Sequence, residues 1–493
     1  MSTPEGAPPL FQHLRAVQRA ERASFHMPGH KGGSGAPALG LELFGAAIYE
    51  ADLSEMGGFD YLHHPESALL ESQARAAALL GAKRSWFLVN GATVGNLAAI
   101  LATVGEGDAL LVARGSHRSV YAGLALSGAR PIYLPPVAHD TLDGLFGIDL
   151  DEMRRALADH DEIRAIHVTS PSYYGLAVDI EAVAKMARAA GIPLIVDEAH
   201  GTHFALHPRF PRPALSAGAD LVVHSPHKTL GSLTQSSLLH HQGGLVDPGR
   251  VDGLLQMLQS SSPSALLLVS LDLALAEMAS EGEQRWEATI ELAEHVRESA
   301  RAIEGLRIYG PELLELPGIA AYDPVKLVVD VHDLGRGAPD AAAWLAANRG
   351  IRPEFSDLRR MVFSLTTGDD VKRAELPVDS LAALAADSRG RALGGGLVSR
   401  WPREVPEMAL TPRSGGLATS VAAEDVELGL ALGRIAAEMV VPYPPGIPLL
   451  VPGEVISAGV LEAIGQLTEA GCRIVGMADP STSTIRCLAA TKR

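Results

Sequence analysis

Short apolar stretches alternate with helical patterns between about residue 66 and residue 310. The strand-like stretches lie near residues 86–90, 109–113, 131–134, 164–169, 193–197, 221–225 and 236–240. Helical patterns such as 69–80 and 180–190 separate them. This alternation predicts a mainly parallel sheet that is covered by helices on both faces, with ligands beyond the carboxyl ends of its strands.

The predicted strand 221–225 ends abruptly in polar side chains, among them Ser225, His227 and Lys228. The Lys228 amine can condense with a carbonyl as a Schiff base, while Ser225 and His227 can donate hydrogen bonds to a phosphate. Pyridoxal phosphate (PLP) carries an aldehyde and a phosphate, so this strand end predicts a PLP site.

A second buried strand, 193–197, ends in Asp197 and is followed by Ala199 and His200. A carboxylate there keeps a pyridine ring nitrogen protonated, so that the ring can accept an electron pair. Ala199 is small enough to lie under the ring, and His200 is within reach of a substrate. Either strand alone also fits a surface lysine or an ordinary strand-end aspartate, whereas the two together favour the cofactor site.

Three further stretches complete the predicted site. Gly91, Ala92 and Thr93 stand between a strand and a helix start, where unpaired N–H groups suit a phosphate. His117, after the strand 109–113, is a candidate to stack on the ring, and Thr169 ends the strand 164–169. A glycine-rich turn or a lone histidine is weak evidence by itself, because such turns also occur merely to let the backbone bend.

The chain resembles the Orn/Lys/Arg decarboxylase family of fold-type I PLP enzymes, in its shorter bacterial form. The matching stretches are His26–Gly33, His63–Glu66, Asn90–Asn96, Ser170–Gly175, Asp197–Thr202, Ser225–Lys228, Thr234–Gln235, Ser261–Ser264, Tyr443–Pro448 and Pro452–Glu454. The resemblance implies a fold-type I PLP-dependent transferase-like fold, which is a three-layer α/β/α large domain with a mainly parallel sheet plus an α+β C-terminal domain.

The resemblance also assigns roles to the site residues. It implies that Lys228 is the Schiff-base lysine and Asp197 the ring-nitrogen partner. It further implies that His117 stacks on the ring and that the phosphate cradle consists of Ala92, Thr93, Ser225 and His227. Ser262 lies in a segment that resembles the part of the family chain that reaches a neighbouring subunit's phosphate site, although a plain helix cap is also possible.

Two departures from the family pattern stand out. The family usually has Gly-Ser-Thr where this chain has Gly91-Ala92-Thr93, so one hydroxyl donor to the phosphate is missing and we expect modestly weaker PLP affinity. His26 also precedes Met27-Pro28-Gly29-His30, where the family often has threonine or a similar small residue before the Pro-Gly-His. The second difference concerns only the site entrance.

Composition sets broad limits on the function. The 493 residues include 41 basic and 58 acidic side chains, a formal charge of −17, which disfavours nucleic acid or an anionic membrane as partner and suits a cationic substrate. The only cysteines, Cys472 and Cys487, lack metal-ligand spacing, so we expect no metal site, no disulfide framework and a cytoplasmic location. The apolar stretches are too short to span a membrane, and no leader pattern opens the chain.

We predict an N-terminal arm over residues 1–65, a PLP-binding large domain over 66–310 and a C-terminal α+β domain over 311–493. The arm is rich in proline and glycine and has too few apolar positions for a core of its own. A long helix is expected near 264–305, flexible crossings near 394–396 and 412–417, and a rigid loop from Pro442 to Pro448.

The resemblance implies decarboxylation of a basic amino acid for polyamine synthesis. We expect arginine to give agmatine, with lysine second and ornithine third. Glu354, Asp357 and Glu454 are candidate partners of the substrate's distal cation, and each is also plausible as a surface carboxylate. Either His200 or Lys228 can return a proton to the substrate carbon. We expect a homodimer or a higher homo-oligomer, with no nucleic acid or membrane as partner.

Two other functions stay open. A fold-type I aminotransferase or aldolase would need an arginine for the substrate carboxylate, such as Arg352 or Arg359. A catalytically silent regulatory homologue is the third possibility.

Overall fold

The computed structural model describes residues 6–139, 144–390, 404–417, 422–443 and 446–489. The predicted crossing at 394–396 and the prolines Pro444 and Pro445 lie outside these ranges. Two compact units make up the chain. The first contains Met1–Ala102 and Ile195–Arg285, and the second contains Thr103–Leu194 and Trp286–Arg493.

The described strands are short and follow one another along the whole chain. They are β1 (Arg84–Leu88), β2 (Ala109–Ala113), β3 (Arg130–Leu134), β4 (Val137–His139), β5 (Gly144–Phe146), β6 (Ile163–Thr169), β7 (Leu176–Ala177), β8 (Leu194–Asp197), β9 (Leu221–His224), β10 (Ser237–His241), β11 (Arg307–Ile308), β12 (Ala321–Tyr322), β13 (Lys326–Asp330), β14 (Phe355–Ser356), β15 (Arg360–Ser364), β16 (Ala423–Glu427), β17 (Val441–Tyr443), β18 (Arg473–Val475) and β19 (Thr484–Leu488).

The described α-helices lie between these strands and before β1. They are α1 (Pro9–Ala20), α2 (Ala38–Phe44), α3 (Ala46–Ala51), α4 (Ala68–Leu80), α5 (Gly91–Thr103), α6 (Arg118–Ser127), α7 (Leu150–Asp159), α8 (Ile180–Ala190), α9 (Ala214–Ala217), α10 (Pro226–Thr229), α11 (Pro248–Leu258), α12 (Ala265–Arg301), α13 (Ala338–Arg349), α14 (Val371–Asp387), α15 (Pro412–Gly416) and α16 (Ala458–Glu469).

The strands of the first unit lie in the order β1-β10-β9-β8. β8 and β9 are parallel, whereas β10 runs antiparallel to both β9 and β1. β9 and β10 are buried along their whole length, because helices and loops cover both faces. Such strands are expected to be continuously apolar, as in Leu221-Val222-Val223.

The second unit contains the parallel strands β3, β2 and β6 in that order. It also contains an antiparallel sheet in the order β11-β13-β15-β14. One of its cores packs Phe146 and Leu176 against Tyr309 and Val328. A second core joins α16 to β19 through buried side chains such as Ile464 and Ile485. This unit therefore combines a parallel α/β part with an α+β part.

Helix α8 shows why the sequence predicts several elements to within a residue. The Asp179 carboxylate accepts a hydrogen bond from the Ala182 N–H and so caps the start of the helix. Gly191, at φ 69°, ends it in the left-handed conformation that glycine adopts without strain. Ile180, Val183, Ala184 and Ala187 form its buried face, which gives the helical spacing visible in the sequence.

Two local expectations for the C-terminal part are wrong. Residues 412–416 form the helix α15 instead of a flexible crossing, because Thr411 caps it by accepting from the Ser414 N–H. The predicted rigid loop is wrong at Pro442 and Tyr443, which belong to β17 beside β18, although this two-stranded ladder agrees with the expectation of no helix or central strand there. A proline is tolerated there, because a two-stranded ladder leaves one edge of each strand unpaired.

The N-terminal arm contains the helices α1, α2 and α3, which the proline and glycine content does not predict. Leu10 is fully buried, and its backbone N–H donates to the Asp272 carboxylate on α12 at 2.8 Å. The arm therefore packs on α12. The boundaries at residues 65 and 310 stay predictions.

Candidate active site

Four strand ends meet at one edge of the sheet in the first unit. Asp197, the last residue of β8, lies opposite Val223 of β9. Leu238 of β10 lies opposite His224, the last residue of β9, and Leu88 at the end of β1 lies opposite Ser237. The segments that follow β1, β8 and β9 therefore leave the sheet at the same edge, and these segments contain most of the predicted site residues.

Lys228 lies in α10, a single turn that begins with Pro226 directly after β9. Proline suits the first position of a helical turn, because its fixed φ matches and its missing N–H is not needed. The Lys228 side chain is exposed, and its Nζ lies 3.0 Å from His200 Nε2. The structure therefore brings these two predicted catalytic residues into hydrogen-bond contact.

Asp197 is buried, with 4% of its surface exposed. Its Oδ2 accepts from Asn96 Nδ2 at 2.9 Å, and its Oδ1 accepts from the Ala199 N–H at 3.2 Å. Within the described part of the chain, no arginine, lysine or histidine forms an ion pair with it. Because buried charges are normally paired, this carboxylate fits a ligand that brings its own positive charge, such as a protonated pyridine nitrogen.

The predicted phosphate cradle begins at the turn between β1 and α5. Gly91, at φ 70°, starts α5, and its N–H donates to the Gln235 carbonyl at 2.9 Å. Gln235 Nε2 donates in return to the Val89 carbonyl at 2.7 Å. Ala92 is half-buried and Thr93 exposed in the first turn of the helix. This arrangement fits a phosphate at the helix start.

Ser225 and His227 lie at the same sheet edge. Ser225 is fully buried, with its Oγ 3.4 Å from Ser237 Oγ. His227 Nδ1 lies 2.6 Å from the Ser236 carbonyl, so Nδ1 carries a proton and donates it. Burial lowers the pKa of His227 and the neighbouring Lys228 charge lowers it further, although the bond to Ser236 opposes both. His227 therefore donates to a phosphate only when that anion raises its pKa again.

Ser262 is exposed, and its N–H donates to Ser260 Oγ at 3.2 Å. The Ser260 N–H in turn donates to Asn90 Oδ1 at 3.2 Å, and Gln259 Oε1 accepts from the Val89 N–H at 2.9 Å. The segment 259–262 therefore lies beside the turn that precedes Gly91 in the same chain.

His117 and Thr169 lie in the second unit. His117 caps α6, with its Nδ1 2.8 Å from Ser119 Oγ and 3.3 Å from the Ser119 N–H. Thr169 ends β6 and donates to Ser116 Oγ at 3.3 Å. Because β2 and β6 are parallel neighbours, these two residues follow strands that end at the same edge.

The three predicted substrate carboxylates also lie in the second unit, and each already has partners. Glu354 pairs with Lys326 at 2.5 Å and contacts Ser364. Asp357 accepts from the Tyr174 hydroxyl at 2.7 Å and pairs with Arg360 at 3.4 Å.

Glu454 is fully buried, and Arg114 lies 3.1 Å from its carboxylate. This buried carboxylate is therefore held by the chain itself, and its role as a substrate contact stays a prediction.

Two residues beside Asp197, Asn96 and Glu198, have no role that the sequence alone predicts. Asn96 holds Asp197 although it lies 101 positions away in sequence. Glu198 lies beside Asp197 and pairs with His224 inside the sheet. Asn96 and Glu198 belong to stretches that match the family, and this match was the only indication in the sequence that they lie at the site. The contacts of Asn96 with Asp197 and of Glu198 with His224 depend on which strands pair, and the sequence alone does not show this.

Comparison with known proteins identifies the family. The profile of the Orn/Lys/Arg decarboxylase major domain matches residues 8–373, and the profile of the C-terminal domain of the same family matches residues 396–476. The chain belongs to the Orn/Lys/Arg decarboxylase family. The predicted family and enzyme class, an amino-acid decarboxylase, are thereby confirmed.

Relatives of this decarboxylase extend over nearly its whole length. It is 37% identical over 478 residues to the arginine decarboxylase of Bacillus anthracis, covering 97% of this chain and 96% of the relative. It is 35% identical over 478 residues to the arginine decarboxylase of Bacillus subtilis, covering 97% of each chain.

A solved structure shares the fold of this decarboxylase. The lysine decarboxylase of Francisella novicida superposes with a TM-score of 0.85 and 20% identity, over 98% of this chain and 81% of that chain. The predicted fold class is confirmed, namely a fold-type I α/β part with a mainly parallel sheet and an α+β C-terminal part. No helix in the described ranges is both apolar and long enough to cross a membrane.

Proposed function

We propose that this decarboxylase uses PLP to convert arginine into agmatine and CO2, with lysine as second and ornithine as third substrate. The observation that carries the PLP assignment is Asp197, a buried carboxylate that forms no ion pair with any described residue, at the sheet edge that also bears the Lys228 amine. Arginine is placed first because the two Bacillus relatives, at 37% and 35% identity, are named arginine decarboxylases.

When bound, PLP supplies an aldehyde that condenses with amines and a ring that accepts the electron pair released as CO2 leaves. Lys228 holds the aldehyde, and Asp197 keeps the ring nitrogen protonated. Asn96 and the Ala199 N–H hold the Asp197 carboxylate in place. The start of α5 with Thr93, together with Ser225 and His227, binds the phosphate. His117 stacks on the ring, and Thr169 and Ser262 complete the cofactor contacts.

The proton that replaces CO2 on the substrate carbon comes from His200 or from Lys228. Their 3.0 Å contact lets a proton pass from one to the other, so both stay candidates. The role of Glu354, Asp357 and Glu454 as partners of the substrate's distal cation stays a prediction. Glu354 and Asp357 are already engaged by Lys326, Tyr174 and Arg360.

The test is to load the protein with PLP, incubate it separately with arginine, lysine and ornithine, and measure CO2. Arginine is expected to give the highest kcat/KM. Lys228→Ala is expected to abolish turnover of all three, whereas Lys83→Ala is expected to retain it, since Lys83 is an exposed lysine bonded to the Gly243 carbonyl. Normal rates in Lys228→Ala, or a keto acid in place of CO2, would contradict the proposal.

A second proposal is that the enzyme is a homodimer. The arm of the first unit exposes large apolar side chains to an unusual degree, with 94% of Phe25, 71% of Met27, 77% of Leu39 and 75% of Leu43 exposed. Apolar surface of this kind is normally covered by a partner. Sedimentation at assay concentration is expected to give a dimer, and an active monomer would contradict it.

A cytoplasmic location is also proposed, because Cys472 and Cys487 are unpaired thiols. Fractionation of cells that produce the protein is the direct measurement, and recovery of the enzyme outside the cytoplasm would contradict the proposal.

A further inference from the structure

Glu198 and His224 form a buried pair directly behind the proposed cofactor site. Glu198 is 2% exposed and His224 1%. Glu198 Oε2 lies 2.8 Å from His224 Nε2, and the Ala214 N–H lies 3.0 Å from Oε1 and 3.3 Å from Oε2. An ionised Glu198 accepts from His224 Nε2; burial raises the pKa of Glu198, and the bonds to His224 and to the Ala214 N–H oppose that rise. Both oxygens of Glu198 are therefore engaged.

The pair joins two strand ends that carry site residues. Glu198 directly follows Asp197 at the end of β8, and His224 directly precedes Ser225 at the end of β9. The Glu198 N–H also donates to the Val223 carbonyl at 3.0 Å. One backbone bond and one side-chain bond therefore fix the same two strand ends, and with them the separation between Asp197 and Ser225.

Further polar groups continue from this pair into the sheet. The His224 ring lies 4.8 Å from that of His240, and His240 Nδ1 lies 2.7 Å from Ser85 Oγ. His240 and Ser85 face each other in the β10–β1 register and are both buried. Burial lowers the pKa of His240 well below its usual value, so this imidazole is neutral. The buried polar groups thus reach from the site to β1.

Gly201 leaves the space that Glu198 needs. A Cβ at this position would lie 2.7 Å from Glu198 Cγ and 2.9 Å from Phe204 Cδ2, closer than side chains pack. The Gly201 N–H donates to the Glu198 carbonyl at 2.8 Å. The turn after Asp197 is therefore shaped around the Glu198 side chain.

Burial of a carboxylate and an imidazole is costly unless every bond is made, and an apolar pair of the same volume would be stable without them. The Glu198–His224 bond favours one arrangement of the two strand ends, although His224 Nδ1 and His240 Nε2 are buried without a hydrogen-bond partner among the described residues. Because the two strand ends bear the ring-nitrogen and phosphate partners of a single cofactor, a rigid separation between them has a direct use.

We propose that Glu198 and His224 are positioning residues, which hold Asp197 and Ser225 at the spacing that the two ends of bound PLP require. This inference rests on the proposed function. Neither side chain is proposed to contact the cofactor. Instead, the two side chains influence cofactor binding by fixing the positions of the ends of β8 and β9.

The test uses variants that remove or retain the bond. Glu198→Ala and His224→Ala remove it. Glu198→Gln can retain it, because the amide oxygen can accept from His224 Nε2 as the carboxylate does. Asp272→Asn is the matched control in the same unit, since Asp272 is 4% exposed and binds the backbone N–H of Leu10 on the arm. All variants are compared as full-length protein.

Three quantities are measured: the PLP dissociation constant, the pH midpoint of the bound cofactor's visible absorption, and kcat with KM for arginine. In both alanine variants the PLP dissociation constant is expected to rise about tenfold or more, because such a rise corresponds to the loss of one charged hydrogen bond. The pH midpoint is expected to shift, and kcat to fall more than KM changes. The PLP dissociation constant of Glu198→Gln is expected to stay within about threefold of that of the unmodified enzyme. Asp272→Asn is expected to match the unmodified enzyme in all three quantities.

A double variant separates a pair from two independent effects. Glu198→Ala with His224→Ala is expected to weaken PLP binding no more than the worse single variant, because each change already breaks the same bond. If the alanine variants do not fold, His224→Asn replaces them, because its side chain is too short to reach Glu198. The folded His224→Asn protein is then expected to show the same shifts in PLP dissociation constant and pH midpoint.

The outcomes separate this inference from the proposed function. Unmodified protein that binds no PLP would overturn both. The positioning role alone would be overturned by a different result. In that case the unmodified protein binds PLP and decarboxylates arginine, and the folded variants do the same with an unchanged PLP dissociation constant and pH midpoint. A shift of equal size in Asp272→Asn would also overturn it.

Discussion

The Arg114 guanidinium lies 3.1 Å from the Glu454 carboxylate, 340 positions away in the sequence. Arg114 follows β2, and its Nη1 and Nη2 also donate to the carbonyls of Pro448 and Leu449. The guanidinium lies over the rings of Tyr121 and Tyr133 at 5.3 Å and 5.2 Å. Within the second unit this cluster fastens the segment 448–454 to the parallel strands, close in sequence to His117.

Glu454→Ala is expected to destabilise the protein by about 3–5 kcal/mol, because it leaves the Arg114 charge buried without its partner. Burial raises the pKa of Glu454, and the Arg114 charge opposes that rise. The free energy of unfolding in urea measures the effect.

Glu424→Ala is the matched control, because it removes the partner of Arg434 in a far more exposed pair at 2.6 Å. Its cost is expected at or below about 1 kcal/mol. Equal losses in the two variants would show that burial of the Arg114 pair adds nothing.

Ala92→Ser is expected to strengthen PLP binding. The change restores a hydroxyl at the first turn of α5, where Ala92 is half-buried. One added hydrogen bond of about 0.5–1.5 kcal/mol corresponds to a twofold to tenfold lower dissociation constant. Titration of apoprotein with PLP measures it. Ala92→Val adds bulk without a hydroxyl and is expected to bind PLP no better than the unmodified protein; a gain there would mean that packing is responsible.

His240 is expected to make the protein less stable in mild acid. Burial lowers its pKa well below 6.5, and the nearby His224 lowers it further. Below about pH 6.5 the unfolded chain therefore binds a proton that the folded chain does not, so the free energy of unfolding falls as the pH decreases, by up to about 1.4 kcal/mol per pH unit.

His240→Phe removes this titration, so the free energy of unfolding is expected to depend less steeply on pH between 5 and 7. The variant also leaves Ser85 without its histidine partner, which lowers the free energy of unfolding at every pH. The comparison therefore uses the slope of the free energy of unfolding against pH and not its absolute value. Parallel curves for the two proteins would refute the assignment.

Glu354→Gln is expected to lower stability by about 1–3 kcal/mol, because it weakens the ion pair with the buried Lys326. KM for arginine is expected to change little, since Lys326 already occupies this carboxylate. Urea unfolding and steady-state kinetics measure the two effects. Glu375→Gln, at an exposed position on α14, is the surface control. A large rise in KM with unchanged stability would restore Glu354 as a substrate contact.

The sequence determined the secondary structure of the parallel α/β part closely, because strands and helices there are defined by local periodicity and by caps such as Asp179 and Gly191. It also determined the chemistry of the strand ends, since Asp197 and Lys228 follow recognisable strands. The helices of the arm were missed, because glycine and proline masked short helical patterns such as that of α1, which contacts α12 through Leu10.

Only the tertiary structure decided which side chains meet. Asn96 reaches Asp197, Glu198 reaches His224 and Arg114 reaches Glu454 through strand pairing and packing between distant segments, and no local pattern records such contacts. The same reason separates a substrate carboxylate from a structural one. Glu454 has the charge to bind a cation, and only the tertiary structure shows that it is buried and paired with Arg114.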